Sequence, residues 1–181
     1  CNNTQGHGYM NLREGFSRSC NSTFIQIGKE LGSNKIINMA QNLGFGEKIN
    51  IGLIEEIEGN LPSGKELQGP AIGNISIGQG SIEVTPLQIT NMMMIIANNG
   101  IKKGMSIVDS ITTKDGYIIK KFHRENEKRI ISEKSAEILK DYLINTVLEG
   151  TAKNLCLEDL GGAGGKTGSA QAVLNRKETI H

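Results

Sequence analysis

The sequence contains no tryptophan and few aromatic residues of any kind, so a hydrophobic core has to be built from aliphatic side chains. Phe, Tyr and Trp make up 4% of the 181 residues, whereas hydrophobic residues as a whole make up 37%. Charged residues make up 22%, and this mixture is that of a folded chain rather than of a disordered one. The length suits one domain or part of a larger one.

An excess of charge of one sign and a long apolar run are also missing. Lys and Arg total 20 against 19 for Asp and Glu, which gives a formal net charge of +1. This balance lacks the electrostatic signature of nucleic-acid binding, and we expect no nucleic acid as a partner. The longest apolar run, from Met92 to Ala97, falls far short of the roughly 18 residues of a membrane span.

Cysteine is scarce, and its odd number argues against a disulfide framework. The three cysteines are Cys1, Cys20 and Cys156. The chain begins at the first of them rather than at Met, and it ends at His181 among polar residues. We therefore expect that the sequence is trimmed at both ends.

Helical patterns dominate the first part of the chain and strands come late, which predicts an α+β fold. Apolar positions over 11–31 have helical spacing, but residues 17–22 are weak helix formers, so two helices are expected to meet there. The capping box formed by Thr85 and Gln88 marks the start of another helix. In all, the later helices are predicted over 33–43, 85–98 and 132–147.

The remaining segments predict loops and strands. Residues 45–80 are rich in glycine and predict a long irregular connection, a feature that is usually functional inside a compact domain. Lys114-Asp115-Gly116 predicts the turn of a hairpin over 105–121. A further strand is predicted at Lys166 to Ser169, after a run of glycines.

The Lys166-Thr167-Gly168 triplet places an ammonium, a hydroxyl and a missing side chain in a row on that predicted strand. Lys and Thr suit the binding of a carboxylate, and Gly lets a substrate approach the strand edge. Taken alone, the triplet is more often an edge strand with a solvated lysine. A functional interpretation therefore depends on the other elements of the sequence.

Two further elements are compatible with the same kind of site. Ser19-Cys20-Asn21 separates a hydroxyl from an amide by one residue, and such a pair can relay a proton and hold a substrate carbonyl. Alone, it is an ordinary helix cap. Ile77-Gly78-Gln79-Gly80 stands shortly before the capped helix at Thr85, and alone it is a glycine turn.

In combination, these elements resemble the penicillin-binding protein transpeptidase domain. Its members and the related β-lactamases carry S-x-x-K, S-D-N and K-T-G elements, of which the second and third stand here in that order, with Cys20 in place of Asp. The resemblance is greatest to the monofunctional class B enzymes of the elongation type, through Ser76 to Gly80, and the division or sporulation type stays open. It covers nearly the whole chain, including the stretches 6–24, 61–63, 78–100, 149–152 and 165–171.

The resemblance implies a D,D-transpeptidase that crosslinks bacterial peptidoglycan. In the family, a serine attacks the carbonyl of a D-Ala-D-Ala terminus, D-Ala leaves, and an amine of a second stem peptide takes the acyl group. β-Lactams mimic the dipeptide and trap the serine. The implied partners are stem peptides, β-lactam antibiotics and a membrane glycosyltransferase of the cell-wall machinery, and catalysis needs no cofactor.

The implied fold is the α+β fold of these transpeptidases and of the serine β-lactamases, an antiparallel sheet with helices. Residues 1–181 would be a partial transpeptidase domain that lacks the upstream nucleophile segment and the final strands. The implied location is the extracytoplasmic face of the bacterial cell membrane, with an N-terminal anchor outside this chain.

The resemblance also assigns roles to six residues in and beside these two motifs. Ser19 would take part in the proton relay, and Asn21 would hold the substrate amide. In the second motif, Lys166 would stabilise the relay and orient the substrate carboxylate, and Thr167 would bind that carboxylate. Gly168 would let the substrate lie alongside the backbone. The backbone N–H of Ser169 would donate to the oxyanion.

One element of the family pattern is absent from the sequence. No Ser, Thr or Cys is followed three positions later by Lys, so the S-x-x-K nucleophile and its base are missing, and we expect these residues alone to be inactive. The alternatives are a β-lactam sensor or class D β-lactamase relative, and a non-catalytic scaffold of the cell wall or the division machinery. An S-x-x-K element upstream of Cys1 would favour the transpeptidase.

A separate constellation consists of Cys1, His7 and Cys20, because thiolates and imidazoles are soft zinc ligands. Their spacing is not that of a zinc finger, and three ligands are one short. Some elongation-type relatives carry a zinc site beside the S-x-N element, and His7 and Cys20 fall at matching places. The resemblance thus implies a structural zinc site, and the alternative is two thiols and a loop histidine.

Overall fold

The computed structural model describes residues 6–52, 54–63, 65, 67–122, 127–155, 157 and 162–169, and the backbone of 171–174 and 177–180. The helices are α1 (Leu12–Ser17), α2 (Asn21–Leu31), α3 (Ser33–Asn42), α4 (Pro70–Ile75), α5 (Pro86–Ala97) and α6 (Glu133–Leu148). The strands are β1 (Ile101–Lys102), β2 (Ser110–Thr112), β3 (Ile118–Lys121), β4 (Lys128–Arg129), β5 (Gln171–Leu174) and β6 (Lys177–Ile180). A 3₁₀ turn covers Lys153–Leu155.

Small antiparallel sheets accompany these helices, which confirms the α+β fold. β1 pairs with β4, β2 pairs with β3 as the predicted hairpin, and β5 pairs with β6. The last pair runs in register from Gln171↔Ile180 to Leu174↔Lys177. Where the resemblance suggested one antiparallel sheet, the described strands form separate two-stranded pairs.

The chain folds into two compact units, each assembled from separate stretches of sequence. The first unit comprises Cys1–Ile37, Pro62–Ile82 and Glu137–His181, and the second comprises Asn38–Leu61 and Glu83–Ala136. The first unit therefore contains all three elements that the sequence singled out, at 19–21, 77–80 and 166–168. The expectation of one partial transpeptidase domain over the whole chain stays a prediction.

In the first unit, α2 and α4 pack closely because Gly28 has no side chain. A Cβ at Gly28 would collide with the hydroxyl of Ser76, which follows α4 directly. That hydroxyl donates to the Ile72 carbonyl at 2.6 Å. The close approach positions the residues after α4, which include the glycine turn at 77–80.

In the second unit, two buried amides of α5 hold the preceding loop. The predicted capping box is present, since the Thr85 hydroxyl accepts from the Gln88 N–H at 3.2 Å and the Gln88 amide oxygen accepts from the Thr85 N–H at 2.9 Å. The amide nitrogen of Gln88 donates to the carbonyls of Glu47 and Glu58 at 2.9 and 2.8 Å. Asn91 donates to the Leu43 carbonyl at 2.8 Å. The polar face of α5 thus holds the backbone at Leu43, Glu47 and Glu58.

Three local predictions were incomplete or wrong. The irregular connection over 45–80 contains α4, whose first residue, Pro70, suits a helix start. The strand pair β1–β4 was missed because each of its strands has only two residues and the second strand consists of charged residues. The predicted strand at Lys166 to Ser169 is wrong, because residues 162–169 belong to no helix or strand and β5 begins only at Gln171. A strand requires a paired neighbour, and β5 pairs with β6 beyond this segment.

Among the described residues, no helix combines the length and the apolar content that crossing a membrane requires.

Candidate active site

The turn between α1 and α2 presents Ser19, as the interrupted helical pattern predicted. α1 begins with a capping box in which Asn11 and Glu14 each accept from the other's backbone N–H at 2.9 Å. Ser19 follows α1 with a φ of 51°, a left-handed conformation that costs a non-glycine residue roughly 1–2 kcal/mol. Its N–H donates to the Phe16 carbonyl at 3.1 Å, and the Cys20 N–H donates to the Gly15 carbonyl at 2.9 Å. These bonds hold the turn in place.

Lys166 reaches Ser19 although 147 positions separate them. The Lys166 ammonium donates to the Ser19 hydroxyl, and it also donates to the Thr167 carbonyl at 2.9 Å. It also lies 5.8 Å from the centre of the Phe16 ring, within the range of a cation–π contact. The residue as a whole is exposed, yet desolvation by partial burial lowers the pKa of its ammonium below the ordinary value. The two motifs therefore meet as a cation beside a hydroxyl.

Two further hydroxyl groups lie beside the Ser19 hydroxyl, and we call Ser19, Thr151 and Thr167 the hydroxyl cluster. The oxygens of Thr151 and Thr167 lie 2.7 Å apart, while the Ser19 oxygen lies 3.2 Å from Thr167 and 3.4 Å from Thr151. Ser19 is half-buried and both threonines are exposed. The cluster thus presents several hydroxyl groups and one ammonium to a ligand.

Thr151 is a member that sequence reasoning missed. It follows α6 and Gly150, and its N–H donates to the Ser17 carbonyl at 3.0 Å. A Cβ at Gly150 would collide with that same carbonyl, so glycine is needed for this close approach. The sequence offered two signals, a hydroxyl directly after the glycine that ends a predicted helix and its place in the stretch 149–152 that resembles the family.

Gln79 is a second residue for which no role was predicted. Its side-chain amide donates to the Ser169 carbonyl at 3.2 Å, which ties the glycine turn to the end of the Lys-Thr-Gly segment. The flanking Gly78 and Gly80 have φ values of 74° and 95°, a region that glycine adopts without strain. The Gly-Gln-Gly pattern therefore supplies a turn whose central side chain bonds to the Lys-Thr-Gly segment.

The other predicted site residues lie next to these contacts. Asn21 is half-buried as the first residue of α2, directly after the turn that carries Ser19. Gly168 and Ser169 are exposed, and a Cβ at Gly168 would meet nothing within 4 Å. The structure therefore brings Ser19, Lys166 and Thr167 into contact, and the roles assigned to all six residues stay predictions.

His7 and Cys20, two members of the zinc constellation, lie close together. Burial raises the pKa of the Cys20 thiol, but hydrogen bonds from Thr23 and His7 outweigh it and bring the pKa to about 7. Cys20 is a buried thiol, 5% exposed. Cys1 lies outside the described residues, and within them no group of three His, Cys, Asp or Glu side chains is arranged to hold a metal ion. The zinc site is therefore unsupported.

Comparison with known proteins gives a consistent result. A family model described as the penicillin binding protein transpeptidase domain matches residues 1–181. The chain is 32% identical over 176 residues to stage V sporulation protein D of Bacillus subtilis, which covers 95% of this chain and 26% of that protein. It is 31% identical over 138 residues to the peptidoglycan D,D-transpeptidase PbpA of Mycolicibacterium smegmatis, covering 75% of this chain and 27% of that protein.

A solved structure resembles this fold closely. The chain matches penicillin binding protein 3 of Mycobacterium tuberculosis, complexed with aztreonam, with a TM-score of 0.80 and 25% identity. The match covers 97% of this chain and 40% of that one. The chain thus spans about a quarter of the length of the curated relatives described above.

Proposed function

The chain belongs to the penicillin-binding protein transpeptidase family, and from this premise we propose that the full-length protein is a serine-type D,D-transpeptidase. Its substrates are peptidoglycan stem peptides that end in D-Ala-D-Ala, and β-lactams acylate it in their place. The relative PbpA, named a peptidoglycan D,D-transpeptidase, supports the reaction, and the aztreonam complex supports the ligand class. Whether the protein acts in elongation, as the sequence suggested, or in sporulation, as one relative's name states, stays a prediction.

The observation that carries the proposal is the contact between the Lys166 ammonium and the Ser19 hydroxyl. An ammonium beside a hydroxyl stabilises the hydroxyl oxygen when it gives up a proton, which a proton relay requires. The lowered pKa of Lys166 indicates partial desolvation, and a positive charge attracts an anion more strongly where water is partly excluded. These properties suit the capture of a substrate carboxylate next to a relay hydroxyl.

The other residues are proposed to complete the site around this contact. Asn21 holds the substrate amide, Thr167 binds the carboxylate, and the exposed backbone at Gly168 accommodates the substrate. The Ser169 N–H donates to the oxyanion, and the bond from Gln79 to the Ser169 carbonyl would hold the backbone of the same residue in place. The attacking serine is proposed to lie outside these residues, since no S-x-x-K element occurs in the sequence.

The test is acylation of the full-length protein by a fluorescent penicillin. We expect Lys166→Ala to lower the second-order acylation rate by about a hundredfold, because a donor positioned at a site of developing charge contributes roughly 3 kcal/mol. Lys153→Ala is the matched control, since Lys153 is an exposed lysine in the 3₁₀ turn of the same unit. Equal rates in the two variants would remove Lys166 from the mechanism.

The same experiment separates the alternatives. A scaffold gives no adduct with the wild-type protein, and a β-lactamase relative forms an adduct that is rapidly hydrolysed. A transpeptidase gives a long-lived adduct with penicillin. With a D-Ala-D-Ala peptide and an added amine it releases D-Ala and forms a new amide bond.

The location, a partner and a structural metal are proposed on the resemblance. We propose that the domain works on the extracytoplasmic face of the bacterial membrane, anchored by an N-terminal segment outside these residues, beside a membrane glycosyltransferase. Co-purification of the tagged full-length protein from membranes tests both statements. Zinc at Cys1, His7 and Cys20 rests on the resemblance alone, since the described residues contain no group of three ligands that could hold a metal ion. Metal analysis of protein purified without chelator tests it, and less than about one-tenth zinc per chain would refute it.

A further inference from the structure

Thr151 has no part in the function proposed above, yet its hydroxyl makes the shortest of the three contacts inside the hydroxyl cluster. Its oxygen lies 2.7 Å from that of Thr167, against 3.2 and 3.4 Å for the contacts that involve Ser19. A distance of about 2.7–2.8 Å is typical of a well-formed O–H···O hydrogen bond. The bond between the two threonines is therefore the firmly formed one.

The direction of this bond decides what Thr167 can offer to a ligand. A hydroxyl has one hydrogen to donate and two lone pairs to accept with, and an ionised carboxylate can only accept. If Thr167 donated to Thr151, its single hydrogen would be used inside the cluster and its oxygen would face the carboxylate with lone pairs alone. If Thr151 donates, and the Ser19 hydroxyl, whose oxygen accepts from Lys166, also donates to Thr167, the Thr167 hydrogen remains available.

Backbone hydrogen bonds hold Thr151 beside the Lys-Thr-Gly segment. Its N–H donates to the Ser17 carbonyl at 3.0 Å, and the next N–H, of Ala152, donates to the Thr146 carbonyl at 3.1 Å. The close approach of Gly150 to the Ser17 carbonyl leaves no room for a side chain there. The end of α6 is thus attached to the end of α1, while the Thr151 hydroxyl reaches the Lys-Thr-Gly segment.

We propose that Thr151 is a positioning residue whose hydroxyl donates to the Thr167 oxygen and so directs the Thr167 hydrogen to the carboxylate of the substrate or of a β-lactam. The inference rests on the proposed function, because that function makes a carboxylate the ligand of Thr167. A donated hydrogen bond also polarises the accepting hydroxyl and strengthens its own donation. Thr151 acts through Thr167 and does not itself contact the ligand.

The test compares penicillin G with its methyl ester on the full-length protein, because the ester lacks the carboxylate. Thr151→Val keeps the shape and removes the hydroxyl, and Thr151→Ser keeps the hydroxyl. We expect Thr151→Val to weaken the binding step with penicillin G about tenfold, to change the rate with the ester less than about twofold, and to leave the later chemical step nearly unchanged. Thr151→Ser should restore most of the loss with the acid.

Two controls keep the result specific. Thr90→Val removes an exposed threonine hydroxyl that bonds to the Pro86 carbonyl within its own helix, and it should behave as wild type with both compounds. The ratio of the acid rate to the ester rate does not depend on the folded fraction, so it remains informative if Thr151→Val folds poorly. The variant that combines Thr151→Val with Thr167→Val should match Thr167→Val alone, since both changes remove one linked donor.

The outcomes separate this inference from the proposed function. An unchanged acid-to-ester ratio in Thr151→Val, with a wild-type protein that penicillin acylates, overturns the positioning role and leaves the transpeptidase proposal intact. A wild-type protein that neither compound acylates overturns both. A loss that is equal for acid and ester marks Thr151 as structural and also overturns the inference.

Discussion

Two clusters of polar side chains in this molecule differ in how far they are buried and in the groups to which they bond. In the second unit, the amides of Gln88 and Asn91 are 0% and 1% exposed, and each donates to backbone carbonyls. In the first unit, the threonines of the hydroxyl cluster and Lys166 are exposed, and most of their bonds join one side chain to another. We call Gln88 and Asn91 the amide cluster.

The difference shows where stability and function are separated in the chain. A buried amide that bonds backbone carbonyls fixes a loop, and its removal leaves buried groups without partners. The hydroxyl cluster includes a serine in a left-handed conformation and contacts a partly desolvated ammonium, two features that cost folding energy. Such costs are typical of functional sites. The amide cluster should therefore determine stability, and the hydroxyl cluster should determine reactivity.

The largest expected effect is the complete absence of an acylated residue, and it tests whether the hydroxyl cluster lacks the attacking nucleophile. After treatment of the full-length protein with a β-lactam, we expect no acylated residue within 1–181. A serine hydroxyl is a weak nucleophile until a nearby base takes its proton, and the sequence lacks the S-x-x-K pair. Peptide mass spectrometry locates the adduct. A stoichiometric adduct on Ser19 that Ser19→Ala abolishes would show that Ser19 is the nucleophile.

The second prediction asks whether a change at the hydroxyl cluster affects reactivity without affecting stability. Lys166→Met should lower the acylation rate by about a hundredfold and should change the thermal unfolding midpoint only slightly. The midpoint changes little because the loss of two hydrogen bonds is offset by the removal of a charge that is costly to desolvate. Lys153→Met is the matched control for both measurements. A large drop in the midpoint would mean that Lys166 holds the fold together, and the contrast between the clusters would fail.

How far the sequence predicts these clusters depends on the range of the contacts. The capping box of α5 follows from Thr85 and Gln88 alone, because it involves neighbouring residues. The contact of Ser19 with Lys166 spans 147 positions, and the family resemblance rather than spacing or periodicity indicated it. Local signals fail where a contact depends on a distant backbone.

The residues that were missed illustrate that limit. Thr151 and Gln79 matter because of the Ser17 and Ser169 carbonyls, which no local pattern relates to them. The strand expected at Lys166 to Ser169 failed for a similar reason, since a strand exists only where another strand pairs with it. The helix α4 was hidden by the glycines around it, although Pro70 marked its start.

The third prediction addresses the amide cluster. Gln88→Ala should lower the free energy of unfolding by about 2–4 kcal/mol, because two backbone carbonyls and one capping N–H lose their partner. Hydrogen exchange over 43–60 should accelerate, while the acylation rate per folded molecule should change little. Gln41→Ala, an exposed glutamine of α3, should have almost no effect. A loss of acylation in Gln88→Ala at full folding would contradict the separation of the clusters.

The smallest expected effect is a change in how the acylation rate and the stability depend on pH, and it arises from the desolvation of Lys166. Its folded-state pKa is lowered, so the ammonium loses its proton at a lower pH than an ordinary lysine does. The acylation rate should therefore fall on the basic side, with a midpoint below the ordinary lysine value of 10.5. Between the lowered and the ordinary pKa, the unfolded chain binds more protons than the folded one, so stability should rise slightly with pH. Rate profiles and unfolding midpoints from neutral to basic pH measure both trends. Lys166→Ala should abolish the basic limb of the rate and the rise in stability, and Lys153→Ala should retain them. A limb that persists unchanged in Lys166→Ala would assign it to another group.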